Sequence, residues 1–98
     1  MDNQQDAETE KEKGNELFKS GDLEGALVHY DRAIELSPSH AFHSNRSAVY
    51  CKLERWEEAL SDGDQCVELS PSWFKGHVRR GDALMGLKDY ERALAAFQ

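Results

Sequence analysis

"GDLEGALVHYDRAIELSPS" (residues 21–39) laid over "ERWEEALSDGDQCVELSPS" (54–72) and "KDYERALAAFQ" (88–98) brings one pattern into register three times. Leu23, Trp56 and Tyr90 align, as do Ala26, Ala59 and Ala93, at spacings of 33 and then 34 residues. Upstream, Gly14, Ser47 and Gly81 keep the same spacings, and Pro38 and Pro71 close the first two units, each inside a Ser-Pro-Ser. Self-similarity at such a period marks a repeat architecture: one small unit cannot bury its apolar face alone and stacks on its neighbours.

Within each unit the apolar period is helical. Leu23, Ala26, Leu27, Tyr30, Ala33 and Ile34 recur at the i, i+3, i+4 spacing of one buried stripe. The pattern predicts first helices near residues 7–20, 40–53 and 73–86, and second helices near 23–36, 56–69 and 89–98. Short turns, "KSGDL", "LERWE" and "LKDYE", make the paired helices antiparallel. Proline then stops the second helix, because it lacks an amide hydrogen and disfavours helical geometry in the residue before it.

Small residues fall where paired helices must approach closely: Gly14 with Ala26, Ser47 with Ala59, Gly81 with Ala93. Tyr30, Tyr50, Trp56, Tyr90 and Phe97 are expected in the core, and Trp73 half exposed at a helix start. Arg46 and Arg80 fall on the packing side, where ion pairs or stacking between repeats would occupy them. Gly63 lies inside a helical stretch and is expected to weaken it by about 1 kcal/mol relative to alanine.

A period near 34, a small residue eight into the unit, alanine near twenty, an aromatic or leucine before it and proline near thirty-two resemble the tetratricopeptide repeat. The resemblance covers residues 7–98. It implies an all-α, right-handed solenoid of three helix-turn-helix repeats at 7–39, 40–73 and 74–98, the third truncated, after a flexible N-terminus at 1–6. The first helices of such repeats line a concave groove. The first unit is one residue short before residue 40, which predicts a slight offset between repeats one and two. Because the chain stops at Gln98, part-way through a second helix, the expectation is a fragment of a longer protein or an end hidden by self-association.

Composition bounds the function. Of 98 residues, 39% are apolar and 32% charged, which suits a folded helical chain. The formal net charge is -7, but unevenly placed: residues 1–72 hold seven Lys/Arg against sixteen Asp/Glu, and residues 73–98 hold five against three. Such acidity argues against nucleic acid, and a small basic spot within it suits a small anionic ligand. No apolar run is long enough to span a membrane, and the acidic start "MDNQQDAETE" is unlike a signal peptide, so a cytoplasmic location is expected. Cys51 and Cys66 are far apart and expected as reduced structural thiols.

No metal or other cofactor is expected. His29, His40, His43 and His77 form no helix-borne His-x-x-x-His and accompany no cysteine pair. "DGD" at 62–64 lacks the remaining ligands of a calcium loop. No nucleophile-base set, phosphate loop or paired acidic cleft is present, so no enzyme activity is expected.

Helical periodicity assigns the groove face of each first helix. It carries Lys11, Asn15, Phe18 and Lys19 in unit one; Ala41, Asn45, Ala48 and Lys52 in unit two; Lys75, Arg79, Asp82 and Gly86 in unit three. Asparagine amides donate hydrogen bonds in fixed directions, and ammonium and guanidinium groups donate charge-assisted ones. A free chain terminus with an acidic last residue offers two carboxylates to such a set.

Five of these positions, Lys11 and Asn15 in "KEKGNELF", Asn45 in "SNRSAVY", and Lys75 and Arg79 in "FKGHVRRG", resemble the carboxylate clamp of co-chaperone tetratricopeptide domains. The likeness is closest to the first such domain of the chaperone-organising co-chaperones. It implies a docking module for the C-terminal Glu-Glu-Val-Asp of heat-shock chaperones of the seventy- and ninety-kilodalton classes. By that resemblance Lys11, Asn15 and Asn45 hold the terminal carboxylate, Lys75 the aspartate side chain and Arg79 the peptide backbone. Phe18, Ala48, Cys51 and Lys52 then contact residues upstream. Two other readings stay open: a scaffold for an internal segment of another partner, and a regulatory domain of an enzyme such as a phosphatase or prolyl isomerase.

Overall fold

A computed structural model describes residues 2–98; Met1, part of the expected flexible N-terminus, lies outside the described residues. Six helices follow one another: α1 (Asn3–Ser20), α2 (Leu23–Leu36), α3 (His40–Lys52), α4 (Trp56–Leu69), α5 (Phe74–Gly86) and α6 (Tyr90–Phe97). Helix α1 starts earlier than the apolar pattern suggests, because the Asp2 carboxylate caps it, accepting from the Gln5 amide at 2.7 Å. Asp22 caps α2 in the same way at 2.9 Å. Ser39, from the first Ser-Pro-Ser, caps α3. Its counterpart Ser72 does not cap α5: the second link is one residue longer and hands the cap position to Trp73, which offers no oxygen.

Each hairpin pairs two antiparallel helices, and consecutive hairpins stack. Helix α3 packs on both α1 and α5, whereas the second helices α2, α4 and α6 do not meet one another among the described residues. First helices in contact and second helices splayed apart curve the stack, so α1, α3 and α5 form its concave wall. None of the described helices is long and apolar enough to cross a membrane.

The small residues sit at the crossings. Gly14, Ala26, Ser47, Ala59, Gly81 and Ala93 are all buried. The Tyr30 ring occupies the space a Cβ on Gly14 would need, 2.6 Å from its nearest ring carbon, and the Phe97 ring does the same at Gly81. Ser47 bonds the facing residue directly, its hydroxyl donating to the Ala59 carbonyl at 2.9 Å. One core cluster gathers Ala26, Leu27, Tyr30 and Val49, and a second gathers Ala7, Ala33 and Phe42.

Four expectations need correction. Tyr90 and Phe97 are about half exposed, at 58% and 49%, because among the described residues α6 packs only on α5 and its outer face is uncovered. Tyr50 and Trp56 lie at the margin of the core, Tyr50 between the guanidinium groups of Arg46 and Arg55, 5.9 Å and 4.9 Å from its ring centre. Gly63 is a packing device rather than a weak point: a Cβ there would stand 2.9 Å from the Arg80 amide nitrogen and 3.1 Å from its Cα. Gly76 gives the same close approach from the other side, 3.0 Å from Cys66 Sγ, so α4 and α5 meet almost backbone to backbone. Gly86, assigned to the groove face, instead packs on the Trp56 ring.

Arg46 and Arg80 tie the repeats together as their packing-side positions suggest. Arg46 donates from Nε and Nη2 to Asp62 at 2.8 Å and from Nη1 to Asp31 at 2.9 Å, joining α3 to α4 and α2. Asp62 is 2% exposed and also meets His43 Nδ1 at 2.8 Å, so its buried charge is well solvated by donors. Arg80 Nε reaches Asp64 at 2.6 Å across the α4–α5 junction. The other histidines have partners too: His29 pairs with Glu10, His77 with the Pro71 carbonyl, and His40 packs edge-on against Trp73.

Candidate functional site

The concave wall carries two adjoining hollows. The smaller, about 130 Å³, is lined by Asn15 and Phe18 from α1, Tyr30 from α2, Asn45 and Ala48 from α3, and Arg79 from α5. The larger, about 410 Å³, is lined by Phe18, Ala48, Cys51, Lys52, Arg79 and Asp82. Phe18, Ala48 and Arg79 border both. Seven of the nine candidate residues therefore line one continuous depression, although they span sixty-odd positions of sequence. Lys19 and Ala41 line neither hollow.

Lys11 and Lys75 stand apart from these hollows. The Lys11 ammonium bonds Glu8 at 2.8 Å, one turn back on its own helix. Lys75 is exposed, its ammonium 5.7 Å from the Trp73 ring centre. Both hold surface partners of the kind worth about 0–1 kcal/mol, so either cation can leave for a ligand at small cost.

Arg79 is fixed more firmly. Its Nε donates to the carbonyl and hydroxyl oxygens of Ser44, both at 3.2 Å, anchoring a side chain of α5 on α3. Asp82 lies 3.9 Å from Nη1, near enough for attraction but too far for a hydrogen bond. Arg79 lines both hollows, and among the described residues its outer nitrogens make no hydrogen bond. Ser44 is 1% exposed and escaped the sequence reading. One signal was available: it occupies, 33 residues on, the position that Lys11 holds in unit one.

Asn15 is oriented from beneath. The Tyr30 hydroxyl donates to Asn15 Oδ1 at 2.5 Å, which leaves the amide hydrogens of Asn15 facing outward. Burial raises the Tyr30 pKa to about 12, so the hydroxyl keeps its hydrogen. Cys51 is a free thiol on the wall of the larger hollow. Burial pushes its pKa up, Asp82 adds to that and Arg79 opposes it, so it stays a neutral, weakly polar surface. Among the described residues no cluster of three or more His, Cys, Asp or Glu is arranged to hold a metal ion.

Such a site offers donors from three consecutive repeats on one curved wall. The tetratricopeptide repeat model matches residues 7–40. Among solved structures, the second tetratricopeptide domain of Spaghetti (RPAP3), bound to the HSP90 peptide SRMEEVD, superposes with a TM-score of 0.93 at 35% identity, over 97% of this chain and 89% of that one. The chain belongs to the tetratricopeptide repeat family.

The second tetratricopeptide domain of human RPAP3, in complex with the HSP70 peptide SGPTIEEVD, superposes with a TM-score of 0.92 at 33% identity, over 97% of this chain and 80% of that one. Among curated proteins, the chain is 42% identical over 93 residues to the Hsp70-Hsp90 organizing protein of Triticum aestivum. That match takes in 94% of this tetratricopeptide chain and 16% of the wheat protein, so the chain spans only a small part of its relative's length. The all-α solenoid of helix-turn-helix units implied by the sequence is the fold of the tetratricopeptide domains it superposes on.

Proposed function

We propose that this chain is a non-catalytic docking module that grips the free C-terminus of an acidic peptide, the Glu-Glu-Val-Asp tail of heat-shock chaperones of the seventy- and ninety-kilodalton classes. One observation carries the reading: Asn15, Asn45 and Arg79, from three different repeats, open on a single hollow, with Lys11 and Lys75 on the flanking helix surfaces. Support also comes from the peptides in the similar solved complexes, SRMEEVD and SGPTIEEVD, which end in the same four residues.

The mechanism follows from donor chemistry. Lys11, the outward amide of Asn15 and the amide of Asn45 hold the terminal carboxylate, Lys75 takes the aspartate side chain, and Arg79 donates to the peptide backbone upstream. Phe18, Ala48, Cys51 and Lys52 receive the preceding side chains along the larger hollow. Each charge-assisted bond contributes about 1.5–3 kcal/mol before the cost of ordering the peptide. The acidity of residues 1–72 disfavours acidic segments that cannot reach all the donors at once. We place this binding in the cytoplasm, where an acidic chain with reduced cysteines fits.

Calorimetric titration with a peptide ending in Met-Glu-Glu-Val-Asp tests the reading. Binding near micromolar strength, about -8 kcal/mol, is expected for the free carboxylate and at least tenfold weaker binding for the C-terminal amide. Equal binding of the two forms would refute it in favour of a groove for internal segments.

A further inference from the structure

Tyr30 carries a role that its place in the core conceals. At 2% exposure it is a packing residue, yet it borders the same hollow as Asn15, Asn45 and Arg79, and its hydroxyl spends its hydrogen on Asn15 Oδ1. An asparagine amide has two nearly isosteric ends of opposite polarity. Turned one way it offers two hydrogens to a carboxylate; turned the other it offers an oxygen, which repels it. We propose that the Tyr30 hydroxyl is a positioning group that fixes the Asn15 amide as a donor and so makes the hollow selective for a free carboxylate.

Three observations support this assignment, which rests on the docking function proposed above. Gly14 removes the side chain that would hold the Tyr30 ring away from α1; a Cβ there would be 2.6 Å from the ring, so only glycine lets the hydroxyl reach the next residue. Burial raises the phenol's pKa to about 12, so it stays protonated into alkaline solution, and its single hydrogen is committed to Asn15 Oδ1. The pairing also occurs in one repeat alone. At the positions 33 and then 34 residues on, Tyr30 becomes Gly63 and Phe97, while Asn15 becomes Ala48 and Asp82. Phe97 packs on Gly81 as Tyr30 packs on Gly14 but has no hydroxyl, and the groove residue beside it is not an amide. Packing explains an aromatic ring at this position; it does not explain the hydroxyl, which appears only in the repeat where an asparagine stands within its reach.

Tyr30→Phe keeps the ring and removes the hydroxyl. Titrated with the free and amidated forms of the Met-Glu-Glu-Val-Asp peptide, it should bind the free form roughly tenfold more weakly and the amide unchanged, so that selectivity for the carboxylate falls. Asn15→Ala should lose at least as much, and the double variant should lose no more than Asn15→Ala alone, because the hydroxyl acts only through that amide. In the wild type the Asn15 side-chain amide protons should move downfield in the NMR spectrum on binding, a shift that a purely structural Tyr30 would not need and that Tyr30→Phe should diminish. Additive losses, or unchanged affinity in Tyr30→Phe while Asn15→Ala weakens binding, would overturn the assignment and leave the docking function standing. No loss in Asn15→Ala would overturn both.

Discussion

Replacing Glu54 and Lys88 by glycine should stabilise this protein. All three hairpins turn in the same way: within two residues of the end of each first helix one residue enters the left-handed region, at φ +91° for Gly21, +58° for Glu54 and +64° for Lys88. Each turn is closed by the same pair of bonds. Amide 21 donates to the Phe18 carbonyl and 22 to Leu17; amide 54 donates to Cys51 and 55 to Tyr50; amide 88 donates to Met85 and 89 to Leu84. This is the capping geometry that glycine serves best, because a Cβ in left-handed backbone costs about 1–2 kcal/mol. Only the first repeat has the glycine. Glycine's greater freedom in the unfolded chain takes back about 0.5–1 kcal/mol, so each replacement should gain roughly 0.5–1 kcal/mol net. Neither side chain makes a hydrogen bond or ion pair among the described residues, so nothing else is lost. The two turns share no partner and their gains should add, raising the thermal midpoint by about 4–8 °C for each kcal/mol. Thermal melts followed by circular dichroism, with urea titrations to check that the m-value is constant, give the measurement. Gly21→Ala should move the midpoint the other way. If both glycine replacements lowered the midpoint, strain in these turns would not be what limits stability.

Other perturbations have equally definite signs. Gly63→Ala should destabilise by about 1–3 kcal/mol in urea unfolding, despite alanine's higher helix propensity, because the new methyl meets the Arg80 backbone. Arg46→Ala removes three bonds and leaves the buried Asp62 carboxylate with His43 alone; a loss of about 3 kcal/mol is expected by the same method. The hydrogen bond from His29 holds the Glu10 carboxyl below the usual glutamate range, against an opposing effect of burial. Its stabilising contribution is therefore full above the unfolded glutamate pKa and lost as pH falls through the lower folded value; NMR titration should show Glu10 moving up in His29→Ala. Arg79→Ala should weaken peptide binding and flatten its dependence on salt, measured by calorimetry at two ionic strengths.

The helices, their pairing and the groove stripe were legible before any coordinates because each depends on local periodicity. A 3.6-residue apolar period, a turn signal and a proline act over a few residues, and repetition stated each of them more than once. The same periodicity put Asn15, Asn45 and Arg79 on one wall, where they share a hollow. It failed at Gly86, which lies on the stripe by angle but meets Trp56, because a period knows the face of a helix and not the neighbour at its end. It failed as well at Tyr90 and Phe97, whose apolar character promises burial only if another element covers them.

What only the tertiary structure decided is contact between residues far apart in the chain. Ser44 holds Arg79 from 35 positions away, Tyr30 orients Asn15 from 15, and Gly63 admits the backbone of Arg80. None of these leaves a periodic trace, since each depends on the rotamer of one side chain and on the distance at which two helices cross. The sequence by itself determined which residues could face a ligand; the packing of one helix on the next decided which of them are held in place, Arg79 by Ser44 and Asn15 by Tyr30.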